Sequence, residues 1–204
     1  MKVVGIYLAA GKSSRMGENK LWLEFRGLPL GSVALKNALE SAIDYILVMT
    51  NSNDSLHWVD STLKSNSNQK RWNIIQLKEN DRGLSYSIKM GLKEAIKMNA
   101  DAVIILLADQ PFVTSQMINY LIKAYGSNKL KEILGYRHKG IVYPPILFSK
   151  ETFPKLIELE GDIGAKKIVI NYDEKKKVLY DTEIEKVRDV DTPEDYNMIK
   201  KYEC

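Results

Sequence analysis

Short apolar runs along this chain alternate with segments in which apolar residues recur every three or four positions. The apolar runs have the length of buried strands and predict strands at 3–8, 45–50, 73–77 and 102–107. The segments of helical period predict helices at 31–42, 54–64, 85–98 and 115–125. Strands that alternate with helices are typical of a mostly parallel sheet with helices on both faces. The pattern therefore predicts an α/β fold.

The second part of the chain is more mixed. It predicts strands at 133–136, 141–148, 178–180 and 186–190, and helices at 152–159, 165–171 and 193–202. We expect Thr192 to cap the last helix and Pro193 to be its first residue. No linker or repeat divides the chain, and 204 residues of which 45% are hydrophobic can bury one core. We expect a single domain over 1–204.

A loop rich in small residues follows the first predicted strand directly. Leu8-Ala9-Ala10-Gly11 is followed by Lys12, Ser13 and Arg15, and Lys20 closes the segment. Small residues let backbone N–H groups approach an anion, and the cations add charge that amides cannot supply. The segment 8–20, hereafter the phosphate loop, therefore predicts a triphosphate site in which Arg15 and Lys20 neutralise phosphate charge.

Two other phosphate-binding motifs are excluded. Gly11-Lys12-Ser13 matches the end of a P-loop, but that motif needs a glycine where this chain has Ile6. The loop also lacks the G-x-G-x-x-G spacing of a dinucleotide-binding turn. Alone, Gly-Lys-Ser is typical of an ordinary turn with solvated cations. The whole pattern, placed directly after a strand, favours phosphate binding.

Asp109 follows the apolar run 102–108 and falls at the same predicted edge of the sheet as the phosphate loop. A carboxylate there suits Mg²⁺, which prefers one or two carboxylates together with phosphate oxygens and water. Asp191 is a candidate second ligand. Each has an alternative role as a cap, Asp109 before Pro111 and Asp191 at the start of the last helix. We expect Mg²⁺ at Asp109, whereas Asp191 fits either role.

Gly83 and Ser85 open a predicted helix just after the third strand, with Asn80 beside them. Because they fall at the same edge of the sheet, they are candidates for recognising the base or ribose of a nucleotide. The alternative is that Ser85 or Ser87 caps the helix without touching a ligand.

Composition excludes several other classes of protein. The formal charge is +4, and basic residues are interspersed with acidic ones, which does not favour nucleic-acid binding. The single cysteine, Cys204, and the unclustered His57 and His138 exclude an internal disulfide and a thiolate metal site. The apolar runs are far shorter than the about 20 residues of a membrane helix, and the first is too short for a signal peptide. We expect a cytoplasmic protein that does not bind a membrane.

The phosphate-loop pattern L-A-A-G-x-S-S-R-M-G-x-x-K resembles the signature of the nucleotidyltransferases that act on molybdenum cofactor. The molybdenum cofactor cytidylyltransferases, together with similar accessory proteins of purine-catabolic hydroxylases, form the subgroup that it resembles most. Further matching blocks span nearly the whole chain in the family's order, at 83–87 with 91–92, 107–111, 161–165 and 189–195. Ala10, where guanylyl-transferring relatives have a second glycine, is similar to the cytidylyl branch.

The resemblance implies a Rossmann-like fold of the nucleotide-diphospho-sugar transferase type. It implies that residues 1–112 bind the nucleotide, and that residues 113–204 bind the acceptor and close the site. Lys20, Arg15 and Asp109 would be catalytic, with Lys20 nearest the α-phosphate. The implied nucleotide contacts are Leu8, Ala9, Ala10, Gly11, Lys12, Ser13, Asn80, Gly83 and Ser85, and the implied acceptor contacts are Asp162, Gly164 and Lys166.

The implied reaction is transfer of CMP from CTP to the phosphate of a molybdopterin-type cofactor, with Mg²⁺ and release of pyrophosphate. Transient contact with a molybdenum hydroxylase follows, since the finished cofactor must be delivered. Two features depart from the family pattern. This chain has Lys166 where the family usually has an arginine, and it has Tyr143-Pro144-Pro145 where relatives usually have Gly-His-Pro. Use of GTP, a sugar or polyol phosphate as acceptor, and a non-catalytic cofactor chaperone are the alternatives.

Overall fold

The strands β1 (Val3–Leu8), β4 (Tyr45–Asn51), β5 (Trp72–Leu77), β6 (Ala102–Leu107), β7 (Ile133–His138), β8 (Ile141–Ser149) and β9 (Lys177–Asp181) form one sheet. A small hairpin, β2 (Glu24–Phe25) and β3 (Leu28–Pro29), lies apart from it. The computed structural model describes residues 1–11, 13, 15–64, 71–78, 83–128, 130–162 and 164–202. All seven strands of the sheet belong to this part of the chain.

The order of the strands across the sheet is β5-β4-β1-β6-β8-β7-β9. β1 pairs in parallel with β4 and β6, β4 with β5, and β7 with β9, while β8 lies antiparallel between β6 and β7. The mostly parallel sheet expected from the sequence is confirmed. Because β8 returns between β6 and β7, strands from both halves of the chain belong to the same sheet.

Helices cover both faces of this sheet. The helices are α1 (Leu30–Leu39), α2 (Gly83–Lys97), α3 (Ser115–Ser127), α4 (Phe153–Ile157), α5 (Lys166–Ile170) and α6 (Pro193–Lys200). α1 and α3 pack in one buried cluster with Val3 and Tyr7 of β1. α2, α4 and α5 pack in a second cluster with Val4, Ile6 and Leu8. Side chains alternate along a strand, so β1 is buried on both faces, as its apolar sequence predicts.

A third cluster attaches the last helix. Ile199 of α6 and Val190 pack against Phe25 and Leu30, next to the β2–β3 hairpin. Thr192 and Asp195 form a capping box at the start of α6, and Pro193 is its first residue, as the sequence predicts. This packing fixes the segment around residue 190 beside the start of α1.

Two predicted elements are wrong. Residues 54–64 form turns that end in a 3₁₀ helix (Ser61–Lys64), not an α-helix. Residues 186–190 include the end of another 3₁₀ helix (Ile184–Val187) and irregular chain, not a strand. Among the described residues, no helix combines the length and the apolarity that crossing a membrane requires.

Candidate active site

A cleft of about 430 Å³ opens where β1, β4, β5 and β6 end at their carboxyl edge. Ligands of open α/β sheets bind at this edge. The residues of the sequence prediction that line the cleft are Leu8, Ala9, Ala10, Gly11, Ser13, Lys20, Gly83, Asp109, Asp162 and Asp191. Most of the predicted site residues are therefore gathered around one space.

Lys20 is one of the residues that line this cleft. It begins a short 3₁₀ helix (Lys20–Trp22), and its backbone N–H donates to the Oγ of Ser13 in the phosphate loop at 3.3 Å. Its ammonium donates to Asp109 Oδ2 at 2.5 Å and to Asp191 Oδ1 at 2.6 Å. The Lys20 side chain is only 9% exposed. One cation thus joins two carboxylates that are far apart in the sequence.

Opposing effects act on the pKa of Lys20. Burial lowers it, but the charge of Asp109 and the hydrogen bonds to Asp109 and Asp191 outweigh burial, so the pKa is raised and the ammonium is charged. Burial also raises the pKa of the Asp109 carboxyl, and attraction to Lys20 offsets only part of that effect. The pair is held together in a poorly solvated position where each charge depends on the other.

Arg15 contacts the Asp191 carboxylate from the solvent side. Its guanidinium lies 3.4 Å from Asp191 Oδ2, and its side chain is 72% exposed. An exposed contact of this length contributes little to stability. Arg15 is therefore available to contact an anion that enters the cleft.

The loop that carries Asp191 is bound directly to the end of β6. The backbone N–H of Val190 donates to the carbonyl oxygen of Asp109 at 2.9 Å. The side-chain amide of Gln110 donates to Val187 O and to Asp189 Oδ1, each at 2.7 Å. These bonds place Asp191 next to Asp109, which explains why a residue so late in the chain reaches the first loop.

Asp189 lies beside these carboxylates and lines the same cleft. Burial, followed by the negative charge of Asp109, raises the pKa of its carboxyl to about 6. Asp189 opens the matching block at 189–195 but is not among the predicted site residues, because the sequence does not show its contact with Gln110.

Another part of the lining of the cleft comes from the start of α2. Gly83, Leu84, Tyr86 and Ser87 line the cleft, whereas Ser85 is 2% exposed and faces a neighbouring groove. Asn51, at the end of β4, also lines the cleft, and its side-chain amide donates to the carbonyl oxygen of Ala10 at 3.0 Å. Neither Asn51 nor Ser87 was predicted as a ligand contact, since no motif of the sequence contains Asn51 and Ser87 was offered only as a helix cap.

The predicted acceptor residues are divided between two neighbouring spaces. Asp162 lines the main cleft, while Gly164 and Lys166 line a second cavity of about 370 Å³. This cavity is bounded mainly by aliphatic residues of α2, β6, β8 and α5, and Asp189 is one of the residues that it shares with the cleft. The ammonium of Lys166 lies 4.8 Å from the centre of the Tyr143 ring. Lys12 and Asn80 lie outside the described residues.

The donor set suits a hard divalent cation. Asp109 Oδ1 is buried and receives no hydrogen bond from the described residues. Asp191 accepts a hydrogen bond from the Lys20 ammonium, as Asp109 does. In the described ranges no group of three or more His, Cys, Asp or Glu residues could hold a metal ion alone. Mg²⁺ does not require such a group, because it takes one or two carboxylates together with phosphate oxygens and water. Asp109 and Asp191 therefore fit Mg²⁺ bound together with a nucleotide.

Comparisons with known proteins give matches that span most of the chain. The model of the MobA-like NTP transferase domain matches residues 5–176. The purine catabolism protein PucB of Bacillus subtilis (strain 168) is 36% identical over 202 residues, which cover 98% of this chain and 96% of that protein. The molybdenum cofactor cytidylyltransferase of Escherichia coli (strain K12) is 25% identical over 196 residues, covering 96% of this chain and 94% of that protein.

A solved structure confirms the fold. The crystal structure of Rv0371c from Mycobacterium tuberculosis H37Rv superposes with a TM-score of 0.79 at 24% sequence identity, covering 98% of each chain. The similarity extends over both halves of the sheet and is not limited to the phosphate loop.

Proposed function

The chain belongs to the MobA-like NTP transferase family, and on that premise we propose that it transfers CMP from CTP to the phosphate of a molybdopterin-type cofactor, releasing pyrophosphate. The observation that carries the proposal is the Lys20 ammonium, which is bound to Asp109 and Asp191 at the edge of a cleft large enough for a nucleotide.

The reaction asks the protein mainly to position reactants and neutralise charge. An oxygen of the acceptor phosphate attacks the α-phosphorus of CTP, a new P–O bond forms, and the bond to the β-phosphate oxygen breaks as pyrophosphate leaves. Lys20 and Arg15 would lie against the phosphates, where positive charge stabilises the transition state. Asp109 and Asp191 would hold Mg²⁺, which supplies further positive charge to the phosphate oxygens.

The nucleoside part of CTP would lie between the phosphate loop and the start of α2. Ala10 and Gly11 form one side of this space, and Gly83, Tyr86 and Ser87 the other. Asn51 supports the arrangement because its bond to the Ala10 carbonyl fixes the direction of the loop. The small residues at 10 and 11 let the backbone approach the ligand closely.

The second cavity is the proposed acceptor site. Its aliphatic walls, which include Ile105, Leu107 and Ile146, suit the flat ring of a pterin better than a polyol phosphate rich in hydroxyl groups. Lys166, whose charge acts on the shared residue Asp189, would supply a cation for the acceptor phosphate. A cofactor finished in this way must pass to an enzyme that uses it, so we propose transient contact with a molybdenum hydroxylase.

Calorimetric titration tests the nucleotide. The protein is titrated with CTP, GTP, ATP and UTP, each with and without Mg²⁺. We expect Mg²⁺-dependent binding that is tightest for CTP. Tighter binding of GTP would move the protein to the guanylyl-transferring branch, and absence of all binding would contradict the proposed site.

Release of pyrophosphate tests the reaction. The protein is mixed with CTP, Mg²⁺ and molybdenum cofactor freshly released from a molybdoenzyme, with a polyol phosphate as the comparison acceptor. We expect pyrophosphate to be released when the acceptor is the molybdenum cofactor and not when it is the polyol phosphate. Tight binding of nucleotide or cofactor without release would instead indicate a cofactor chaperone, and release with the polyol phosphate would replace the proposed acceptor.

A further inference from the structure

The loop that contains Gly161 and Asp162 is hydrogen-bonded to the first turn of α2. Asp162 Oδ1 accepts a hydrogen bond from the backbone N–H of Leu84 at 3.3 Å. The carbonyl oxygen of Gly161 accepts one from the backbone N–H of Ser85 at 3.2 Å. The N–H groups of a first helical turn have no partner inside their own helix, so the loop supplies partners from a distant part of the chain.

Packing at Gly83 brings the two segments closer than a side chain would allow. Gly83 has a φ of +72°, and a Cβ built on it would lie 2.5 Å from Asp162 Oδ1 and 2.6 Å from the Gly161 carbonyl oxygen. The backbone of Gly83 therefore packs directly against the backbone of Gly161 and the carboxylate of Asp162. Nearby, a Cβ on Gly164 would lie 3.0 Å from Leu84 Cδ2.

This contact determines where one wall of the nucleotide cleft stands. Gly83, Leu84 and Tyr86 line the cleft, and the bonds from Gly161 and Asp162 fix the turn to which they belong. The Asp162 carboxylate also lies at the positive end of the α2 dipole, where negative charge is favourable. A change at Asp162 thus reaches the nucleotide side of the site through α2.

We propose that Asp162 is a positioning residue that anchors the first turn of α2 as the nucleoside-binding wall of the cleft. The inference rests on the proposed nucleotide site and gives Asp162 a role different from acceptor contact, which is the role implied by the sequence resemblance. Described residues of this segment then take part in both ligand spaces, because Gly164 lines the second cavity while Asp162 holds the wall of the first.

Two substitutions of the full-length protein distinguish these roles. Asp162→Ala removes the hydrogen-bond acceptor, whereas Asp162→Asn removes the charge and retains an oxygen that can accept from Leu84. Glu160→Ala, at an exposed carboxylate two residues earlier in the chain, is the matched control. The measurements are hydrogen exchange at the Leu84 and Ser85 amides and the calorimetric Kd of CTP with Mg²⁺.

We expect Asp162→Ala to speed exchange at Leu84 and to weaken CTP binding by about 3- to 10-fold, the value of one hydrogen bond. Asp162→Asn and Glu160→Ala should stay within about twofold of the unchanged protein. The inference is overturned if Asp162→Ala leaves exchange and CTP binding unchanged, or if Asp162→Asn weakens CTP binding as much as alanine does. If the unchanged protein binds no CTP, the proposed function fails, while exchange at Leu84 still decides whether Asp162 anchors α2.

Discussion

Charges of both signs meet at Lys20. The carboxylates of Asp109 and Asp191 bind its ammonium, Arg15 contacts Asp191, and Asp109 keeps one buried oxygen without a hydrogen-bond donor among the described residues. That oxygen favours entry of a cation, while Lys20 and Arg15 favour entry of an anion. A nucleotide bound with a divalent cation satisfies both requirements at once.

Replacement of Lys20 tests its role on the phosphates. We expect Lys20→Met to lower the rate of pyrophosphate release by about 10²- to 10³-fold, because a charge aimed at the phosphates is lost. Lys20→Arg should retain more of the rate, although a planar guanidinium meets the two carboxylates differently. The measurement is release of pyrophosphate at saturating CTP.

Lys36→Met provides the control for that experiment. Lys36 is exposed on α1 and does not line the cleft, so its replacement should leave the rate unchanged. A rate for Lys20→Met within twofold of the unchanged protein would show that Lys20 does not act on the phosphates.

Among the secondary-structure elements, the helix predicted at 54–64 is wrong because local hydrogen bonds compete with it. The apolar spacing in 54–64 favours a helix, but Asp54 accepts hydrogen bonds from the Leu56 N–H at 2.8 Å and from the Trp58 side chain at 3.1 Å. Such side-chain bonds to nearby groups compete with helical bonds. Trp58 is instead fully buried under α1, where it lies against Gly31.

The predicted strand at 186–190 failed for a related reason. Its polar backbone groups are bonded to a loop rather than to a strand, since Val187 O accepts from Gln110 and the Val190 N–H donates to Asp109 O. Sequence periodicity cannot show that Asp109 and Gln110 supply those partners.

Prediction of the site itself depended on how local each signal is. The phosphate loop and Asp109 stand next to predicted strands, so motif and topology together placed them at one edge of the sheet. Asn51, Gln110 and Asp189 line or support the cleft through contacts between distant segments. Gln110 and Asp189 fall within matching blocks of the sequence, but no short pattern shows these contacts.

Gly83 gives a prediction about the start of α2. We expect Gly83→Ala to reduce the free energy of unfolding by about 1–3 kcal/mol, since a Cβ there strains the backbone and collides with Gly161 and Asp162. CTP binding should weaken as well, because the wall of the cleft moves. Chemical denaturation and calorimetry measure the two effects.

Gly126→Ala on α3 is the matched control. A Cβ on Gly126 meets only a Met1 methyl group at 3.8 Å, so this variant should be neutral or more stable by about 0.5–1 kcal/mol. Equal destabilisation by the two alanines would show that the close contact at Gly83 is not the cause.

The contact between Tyr136 of β7 and Met117 of α3 makes the stability of the protein depend on pH. The Tyr136 hydroxyl donates to Met117 O at 3.1 Å, and burial, with the nearby Tyr120 and Tyr180, raises the pKa of Tyr136 to about 12. An unfolded tyrosine loses its proton near pH 10. The folded protein therefore holds this proton longer, and the stability that Tyr136 contributes is present below pH 10 and is lost as the pH rises toward 12.

Tyr136→Phe should remove this contribution to alkaline unfolding. We expect the unchanged protein to lose up to about 1.4 kcal/mol more per pH unit than the variant between pH 10 and pH 12. Urea unfolding at pH 8, 10 and 11 measures the difference. Parallel losses of stability in both proteins would contradict the raised pKa.

Across the whole chain, one part of the candidate active site depends on a peripheral hydrophobic cluster. Asp191 lies between Val190 and the capping box of α6, and both ends are fixed by packing with Phe25, Leu30 and Ile199. The structure therefore links stability of the last helix to the geometry of the carboxylate pair.

Ile199 tests this link. Ile199 is 1% exposed, and we expect Ile199→Ala to reduce the free energy of unfolding by about 2–5 kcal/mol. We also expect weaker binding of Mg²⁺ with CTP, because Asp191 loses its support. Met198→Ala, at a neighbouring side chain that is 38% exposed, should change neither. Normal binding in an Ile199→Ala protein of reduced stability would separate α6 from the site.

The ion pair between Lys20 and Asp191 joins residues 171 positions apart. A ribosome adds roughly 5–20 residues per second, so Lys20 emerges many seconds before its second carboxylate is made. β1, β4 and β6 can pair during that interval, because all three precede residue 108. A growing chain can therefore pair the first strands of its sheet while the Lys20 cluster is still unfinished, and an interrupted chain would lack the second carboxylate of the proposed Mg²⁺ site.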